Sequence, residues 1–219
     1  MQRQLEIIDA SFFSILEAGV RVTIPLAVGS FLLGILLAIL VATARLSPNR
    51  LLQKIAAFYV WVIRGTPLLV QLYIIFFGLP SLGITLNPWP AGIIAFAVNF
   101  GAYASEAIRG ALTSVPKGQI EAAESLGMSR FQVFSRAVFP QAVRVAIPAL
   151  MGNFISLVKQ TSLASTVTIM DLMLTADRYV SRYYETMLIY LEVAVIYLLF
   201  TSVLTWLQGK VEKRFSTYV

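Results

Sequence analysis

The chain has 219 residues, of which 58% are hydrophobic and only 13% charged, with a formal net charge of +6. A mean hydropathy of +0.79 demands a membrane protein, because water is a poor solvent for so apolar a surface. Neither cysteine nor histidine occurs, so disulfides, thiolate metal sites and the usual neutral-pH acid–base catalyst are excluded, and no metal site is expected.

Residues 1–17 mix Arg3, Glu6, Asp9 and Glu17 with apolar positions. This is wrong for a cleavable signal peptide with an uninterrupted apolar core, and the segment is expected to lie along the membrane interface. Crossing hydrocarbon takes about 20 mostly apolar residues in a helix, since backbone hydrogen bonds must be satisfied within the segment. Five stretches qualify: 22–44, 58–79, 91–112, 143–158, which contains Pro148, and 187–207. The expected fold is all-α and polytopic, a single transmembrane domain over residues 1–219, with no internal repeat and no flexible linker.

In the first span Ser30, Gly34, Ala38 and Ala42 recur every four residues, a small-residue face that admits another helix closely, from this chain or from a second copy. The second span carries Arg64-Gly65-Thr66-Pro67, a cation, a flexible residue and a helix breaker that spanning alone does not require. Gly65 and Pro67 are expected to bend the helix, and Arg64 to snorkel or to touch a solute, a gating or structural role. In the third span Asn99, Tyr103 and Glu106 follow i, i+4, i+7 spacing, one polar face turned to protein or to a water-filled path. Glu106 and Arg109 are spaced to form an ion pair. The fourth span has Asn153, Ser156 and Gln160 at helical spacing, bracketed by Phe154 and Leu157, and the fifth holds Glu192, an expensive acid expected to pair internally.

Between the third and fourth spans, residues 113–140 form a polar loop with Glu121-Ala122-Ala123, Gly127, a second helical run from Ser129, and Phe139-Pro140. Gly127 permits a sharp reversal and Pro140 must stop or begin a helix. Eleven basic residues fall after the first span, around this loop and after the last span, against five on the other side: Arg3, Arg21, Lys159, Arg178 and Arg182. By the positive-inside rule the N-terminus is outside and the loop and C-terminus are cytoplasmic. That asymmetry accounts for the net charge, so no nucleic-acid partner is expected. No Gly-x-x-x-x-Gly-Lys-Ser/Thr phosphate loop occurs, so this chain is not expected to be an enzyme that hydrolyses ATP.

The loop resembles the Glu-Ala-Ala loop of the membrane subunits of bacterial ABC importers, matched here at Glu121, Ala122, Ala123, Gly127 and Pro140. The Arg64–Pro67 run, Asn99 to Glu106, and Lys159-x-Thr161-Ser162-Leu163 resemble segments of the polar amino-acid subgroup. The resemblance implies a type I ABC importer permease fold in the bacterial cytoplasmic membrane. Its implied partners are a second permease subunit, identical or a sister chain, a dimer of ATPase subunits that holds ATP and Mg, and an extracytoplasmic solute-binding protein. This chain would hold no cofactor. The resemblance also implies that Glu121, Ala122, Ala123, Ser125, Leu126 and Gly127 form the helix coupled to the ATPase, driving alternating access.

A zwitterionic amino acid needs donors for its carboxylate, acceptors for its ammonium and a shaped cavity. Asn99, Tyr103, Asn153, Phe154, Ser156 and Leu157 are the expected pathway residues, with Arg64, Pro67, Glu106 and Pro140 gating or structural. The resemblance implies acidic residues in this region in members that carry basic amino acids; the fourth span has none, which weighs against a basic substrate. The mixed charges Asp171, Asp177, Arg178, Arg182 and Glu185 suit an outer surface that is solvated or docks a binding protein. Two other readings are an ion-coupled secondary transporter using Glu106, Glu192 and Arg64, and a non-transporting membrane scaffold.

Overall fold

Residues 2–216 are described by a computed structural model, and all regular structure among them is helical. Helix α1 (Gln2–Ala18) runs through a π-turn at Gly19–Thr23 into α2 (Ile24–Leu46), giving one continuous helix of 45 residues. The third span is α5 (Pro88–Thr113). The fourth belongs to a 38-residue run, Arg130–Val167, built from α7 (Arg130–Gln132), a π-turn at Val133–Val138, α8 (Phe139–Gln160) and a 3₁₀ segment. After α9 (Leu172–Tyr183) comes α10 (Thr186–Ser216), the last span. Among the described residues four helices are long and apolar enough to cross a membrane, or five if the bent pair counts as one span.

That bent pair takes the place of the second span expected over 58–79, with the bend at Gly65–Pro67 where it was expected. Helix α3 (Arg50–Gly65) and α4 (Leu68–Tyr73), which continues helically to Leu82, meet at 106°. Thr66 (φ −122°, ψ 146°) and Pro67 (φ −64°, ψ 138°) are extended. Proline disfavours helical backbone in the residue before it, so Thr66 cannot continue α3. The break leaves terminal carbonyls of α3 unpaired, and Gln71 answers them. Its amide nitrogen donates toward Ile63 O (2.7 Å), Thr66 O (3.1 Å) and Thr66 Oγ1 (2.9 Å), two protons shared among three acceptors. Its oxygen accepts from Asn99 Nδ2 at 3.0 Å, tying the bend to α5.

Three π-turns share one sequence cause. Each ends two residues before a proline: Gly19–Thr23 before Pro25, Ile74–Gly78 before Pro80, and Val133–Val138 before Pro140. In each, the residue just before the proline donates five residues back: Ile24 to Gly19, Leu79 to Ile74, Phe139 to Phe134. Proline lacks an amide proton, and its ring crowds the carbonyl four residues earlier. A widened turn relieves that crowding while the helix continues.

The expectation that residues 1–17 lie along the interface gives way for the same reason, since the π-turn keeps α1 continuous with α2 instead of turning it aside. Met1 lies outside the described residues. Helix α1 buries Ile7, Ser11 and Ile15, one face at i, i+4, i+8, in a cluster with Leu172 and Ala176 of α9 and Ile189, Val193 and Ile196 of α10. Ser11 donates to Glu192 Oε2 at 2.8 Å, so the acid within α10 has a partner on α1.

A second, larger core joins α2, α4, α5 and α8 through Leu26, Leu72, Phe96, Phe100 and Leu157. Ser30, Gly34, Ala38 and Ala42 are all buried, and their partner is α5 of this same chain. A Cβ on Gly34 would stand 2.8 Å from the Phe100 ring and 3.0 Å from the Ala97 carbonyl oxygen, so the helices can approach this closely only over glycine.

Two outcomes follow. Gln71→Leu should cost on the order of 3 kcal/mol, because carbonyls of α3 and the Asn99 amide lose their partner, and thermal unfolding in detergent measures it. Asp171 caps α9 through Leu174 N (2.9 Å), yet it is fully buried, and that burial pushes its carboxyl from 3.8 up to about 7. Between those values the folded chain holds a proton that the unfolded chain has released, so stability falls as pH rises and levels off above about 7. The melting temperature should be lower at pH 8 than at pH 5, and Asp171→Asn, which keeps the cap, should flatten that difference.

Candidate functional site

Two polar stripes on neighbouring helices face one another. Asn99 and Tyr103 on α5 and Asn153, Ser156 and Gln160 on α8, with Phe100, line a cavity of about 300 Å³. Asn99 is held in place by Gln71, and Ser156 donates to Gly152 O at 3.0 Å, which leaves its oxygen lone pairs as acceptors. The lining thus offers amide donors and acceptors, hydroxyls and two aromatic rings, and it carries no charged side chain.

Phe154 and Leu157 do not line this cavity. Leu157 is 1% exposed within the larger core, and the Phe154 ring stands edge-on to Phe31 at 5.0 Å. Each follows a lining residue by one position, and about 100° of helix rotation carries its side chain to the α2 side. Phe100 and Gln160 on the lining, and Gln71 behind it, are the contributors that the expected set lacked. Gln160 shows the spacing of Asn153 and Ser156, whereas Gln71 was legible only as a polar residue in an apolar run.

Next to the cavity lies a charge cluster. Glu106 is bound by Arg45 of α2 at 3.1 Å and by Arg109 at 2.9 Å, all three side chains only part-exposed. This confirms the Glu106–Arg109 spacing and adds a cross-link from α5 to the end of α2. The Arg64 guanidinium sits 5.1 Å over the ring of Tyr103. Glu192 belongs to the other packing cluster with Ser11, so the charges an ion-coupled mechanism would link are divided between two cores.

The 113–140 loop is a helical hairpin. Helix α6 (Lys117–Ser125) ends in a Schellman closure, with Gly127 N donating to Glu124 O (2.9 Å) and Met128 N to Ala123 O (3.3 Å). Gly127 takes φ +75°, the left-handed conformation that glycine adopts without penalty. Ser129 then starts α7 with a capping box to Gln132. Glu121 and Ala122 face solvent, Ala123 is buried, and Ser125 donates to Glu121 O at 2.9 Å. Leu126 and Phe131 are 79% and 77% exposed and give the hairpin an apolar tip. Gln141 donates to Gln119 Oε1 at 2.6 Å and holds α6 against the start of α8.

At the far end, Arg178 and Arg182 with Ser14, Thr175 and Tyr179 border a second, basic hollow, while Asp177 accepts from Tyr190 at 2.9 Å. Among the described residues no three Asp, Glu, Cys or His side chains gather as metal ligands.

Residues 31–217 match the family of binding-protein-dependent transport system inner membrane components. The L-cystine transport system permease protein TcyB of Bacillus subtilis is 45% identical over 98% of this chain and 92% of its own length. The nopaline transport system permease protein NocM of Agrobacterium fabrum is 41% identical over 92% and 87%. Among solved structures, an amino acid ABC transporter with histidines superposes with a TM-score of 0.89 at 33% identity, covering 94% of this chain and 96% of that one. An inward-facing MetNI methionine ABC transporter superposes at 0.70 with 17% identity over 98% and 99%, a likeness of fold. The chain belongs to the inner-membrane components of binding-protein-dependent transport systems, among the amino-acid ABC permeases.

Proposed function

We propose that this chain is the permease of an ATP-driven importer that carries polar amino acids inward across the bacterial cytoplasmic membrane by alternating access. Its N-terminus is outside, and the hairpin reaches the cytoplasm. ATP and Mg are bound by separate ATPase subunits, which grip Glu121, Ala122, Ala123, Ser125, Leu126 and Gly127. A second permease subunit completes the pathway, and an extracytoplasmic solute-binding protein delivers the substrate. The relatives named for cystine and nopaline and the solved transporter holding histidines support an amino-acid substrate.

One observation carries the reading. The second arm of the hairpin and the Asn153, Ser156 and Gln160 side of the cavity lie on the same continuous helical run, Arg130–Val167. From Phe131 to Asn153 is roughly 33 Å at the helical rise. Closure of a nucleotide-bound ATPase pair at the hairpin therefore moves one wall of the cavity, turning it from inward- to outward-facing.

Glu121→Lys should weaken attachment of the ATPase and abolish ATP-dependent uptake while leaving the thermal melt of the permease unchanged. Co-purification and proteoliposome uptake check it, and normal assembly with normal uptake counts against coupling. Asn153→Ala should preserve assembly and lower uptake at limiting substrate about tenfold, the cost of one lost hydrogen bond to a charged group. Unchanged concentration dependence removes Asn153 from the site.

A further inference from the structure

The cavity has no charge of its own, but its neighbourhood is strongly biased. Three cations, Arg45, Arg64 and Arg109, stand around a single carboxylate, Glu106. Arg45 and Arg109 both bind that carboxylate. Arg64 is exposed, lies over the ring of Tyr103, which lines the cavity, and among the described residues has no carboxylate within ion-pair distance. The surplus of positive charge therefore rests on the one guanidinium that packs directly against the lining. Its position is fixed by the break after Gly65, which Gln71 ties to Asn99. Bend, cavity and cation form one unit.

We infer that Arg64 binds the carboxylate of the amino acid in this cavity, and that with Arg45 and Arg109 it selects substrates with neutral or acidic side chains against those carrying a second cation. This rests on the cavity being the amino-acid site. A guanidinium meets a carboxylate through two parallel hydrogen bonds, and the Tyr103 face pre-orients its plane. The amide and hydroxyl oxygens of Asn153 and Ser156 then take the substrate ammonium. A lysine- or arginine-like side chain entering the same space meets net positive charge with no acidic group on the lining to offset it.

The test is equilibrium dialysis of labelled L-glutamine, L-glutamate, L-cystine, L-arginine and glutamine α-amide against the full-length chain purified in detergent. At least one of the first three should bind, with L-arginine weaker and the α-amide not bound. Arg64→Gln should weaken binding about ten- to hundredfold, the range of a charged hydrogen bond, and narrow the disadvantage of L-arginine. Arg64→Lys should lose part of the affinity yet keep the discrimination. A merely structural role predicts a lowered melting temperature in Arg64→Gln with unchanged affinity, and that result overturns the inference. So does the absence of binding by L-glutamine, L-glutamate and L-cystine alike, or L-arginine binding as tightly as L-glutamine. Binding as expected without ATP-driven uptake in proteoliposomes would sink the importer reading and leave Arg64 as the carboxylate site.

Discussion

A backbone amide or carbonyl without a partner costs several kcal/mol in hydrocarbon, and the irregularities of this chain are arranged around that cost. Three prolines each remove an amide, and at each the preceding turn widens by one residue so that the helix goes on. The break inside the bent pair, at Gly65–Pro67, is closed by a side chain: Gln71 takes the carbonyls that α3 leaves open. The same glutamine holds Asn99, so the repair of the backbone also sets a lining residue of the cavity. Remove the requirement for internal satisfaction and neither the long continuous rods nor the polar bend would need these devices.

The two packing clusters divide the labour. Around α5, close approach to α2 over Gly34 and the Arg45–Glu106–Arg109 cluster makes a rigid frame. Around α1, α9 and α10, the core is closed by the Ser11–Glu192 contact and by the buried cap Asp171. Glu192, expensive inside an apolar helix, is tolerated because α1 lies against it. A free N-terminal segment lying flat on the interface would have left that carboxylate without this partner.

Much of this was legible, and the reason differs by element. Residues 22–44, 91–112 and 187–207 are legible as mostly apolar runs of spanning length, and the helices extend beyond them because polar flanks continue the same hydrogen-bond ladder. The bend showed as Gly65 and Pro67, but its 106° could not be read, since composition fixes where a helix breaks and packing fixes where it goes next. Periodicity placed Asn99 with Tyr103 and Asn153 with Ser156, each pair on one face. Their meeting in one cavity is tertiary, as are the Gln71–Asn99 and Arg45–Glu106 contacts between residues remote in sequence. Phe154 and Leu157 misled because neighbours in sequence are not neighbours across a helix.

The burial pattern says which wall of the cavity is free to move under the proposed cycle. In the most apolar 18-residue stretch of α5, 61% is buried within the chain and α5 is locked to α2, whereas in that of the Arg130–Val167 run only 22% is buried. Displacing α5 would strip the core around Phe96 and Phe100 and pull apart the Arg45–Glu106 ion pair. The α8 rod gives up far less, and Pro148 and the π-turn before Pro140 lie between Phe131 and Asn153, where a helix flexes most readily. Asn99, Tyr103 and Arg64 then act as a fixed reference against which Asn153, Ser156 and Gln160 are moved, so a substrate carboxylate held on the α5 side keeps its place while the groups facing its ammonium change.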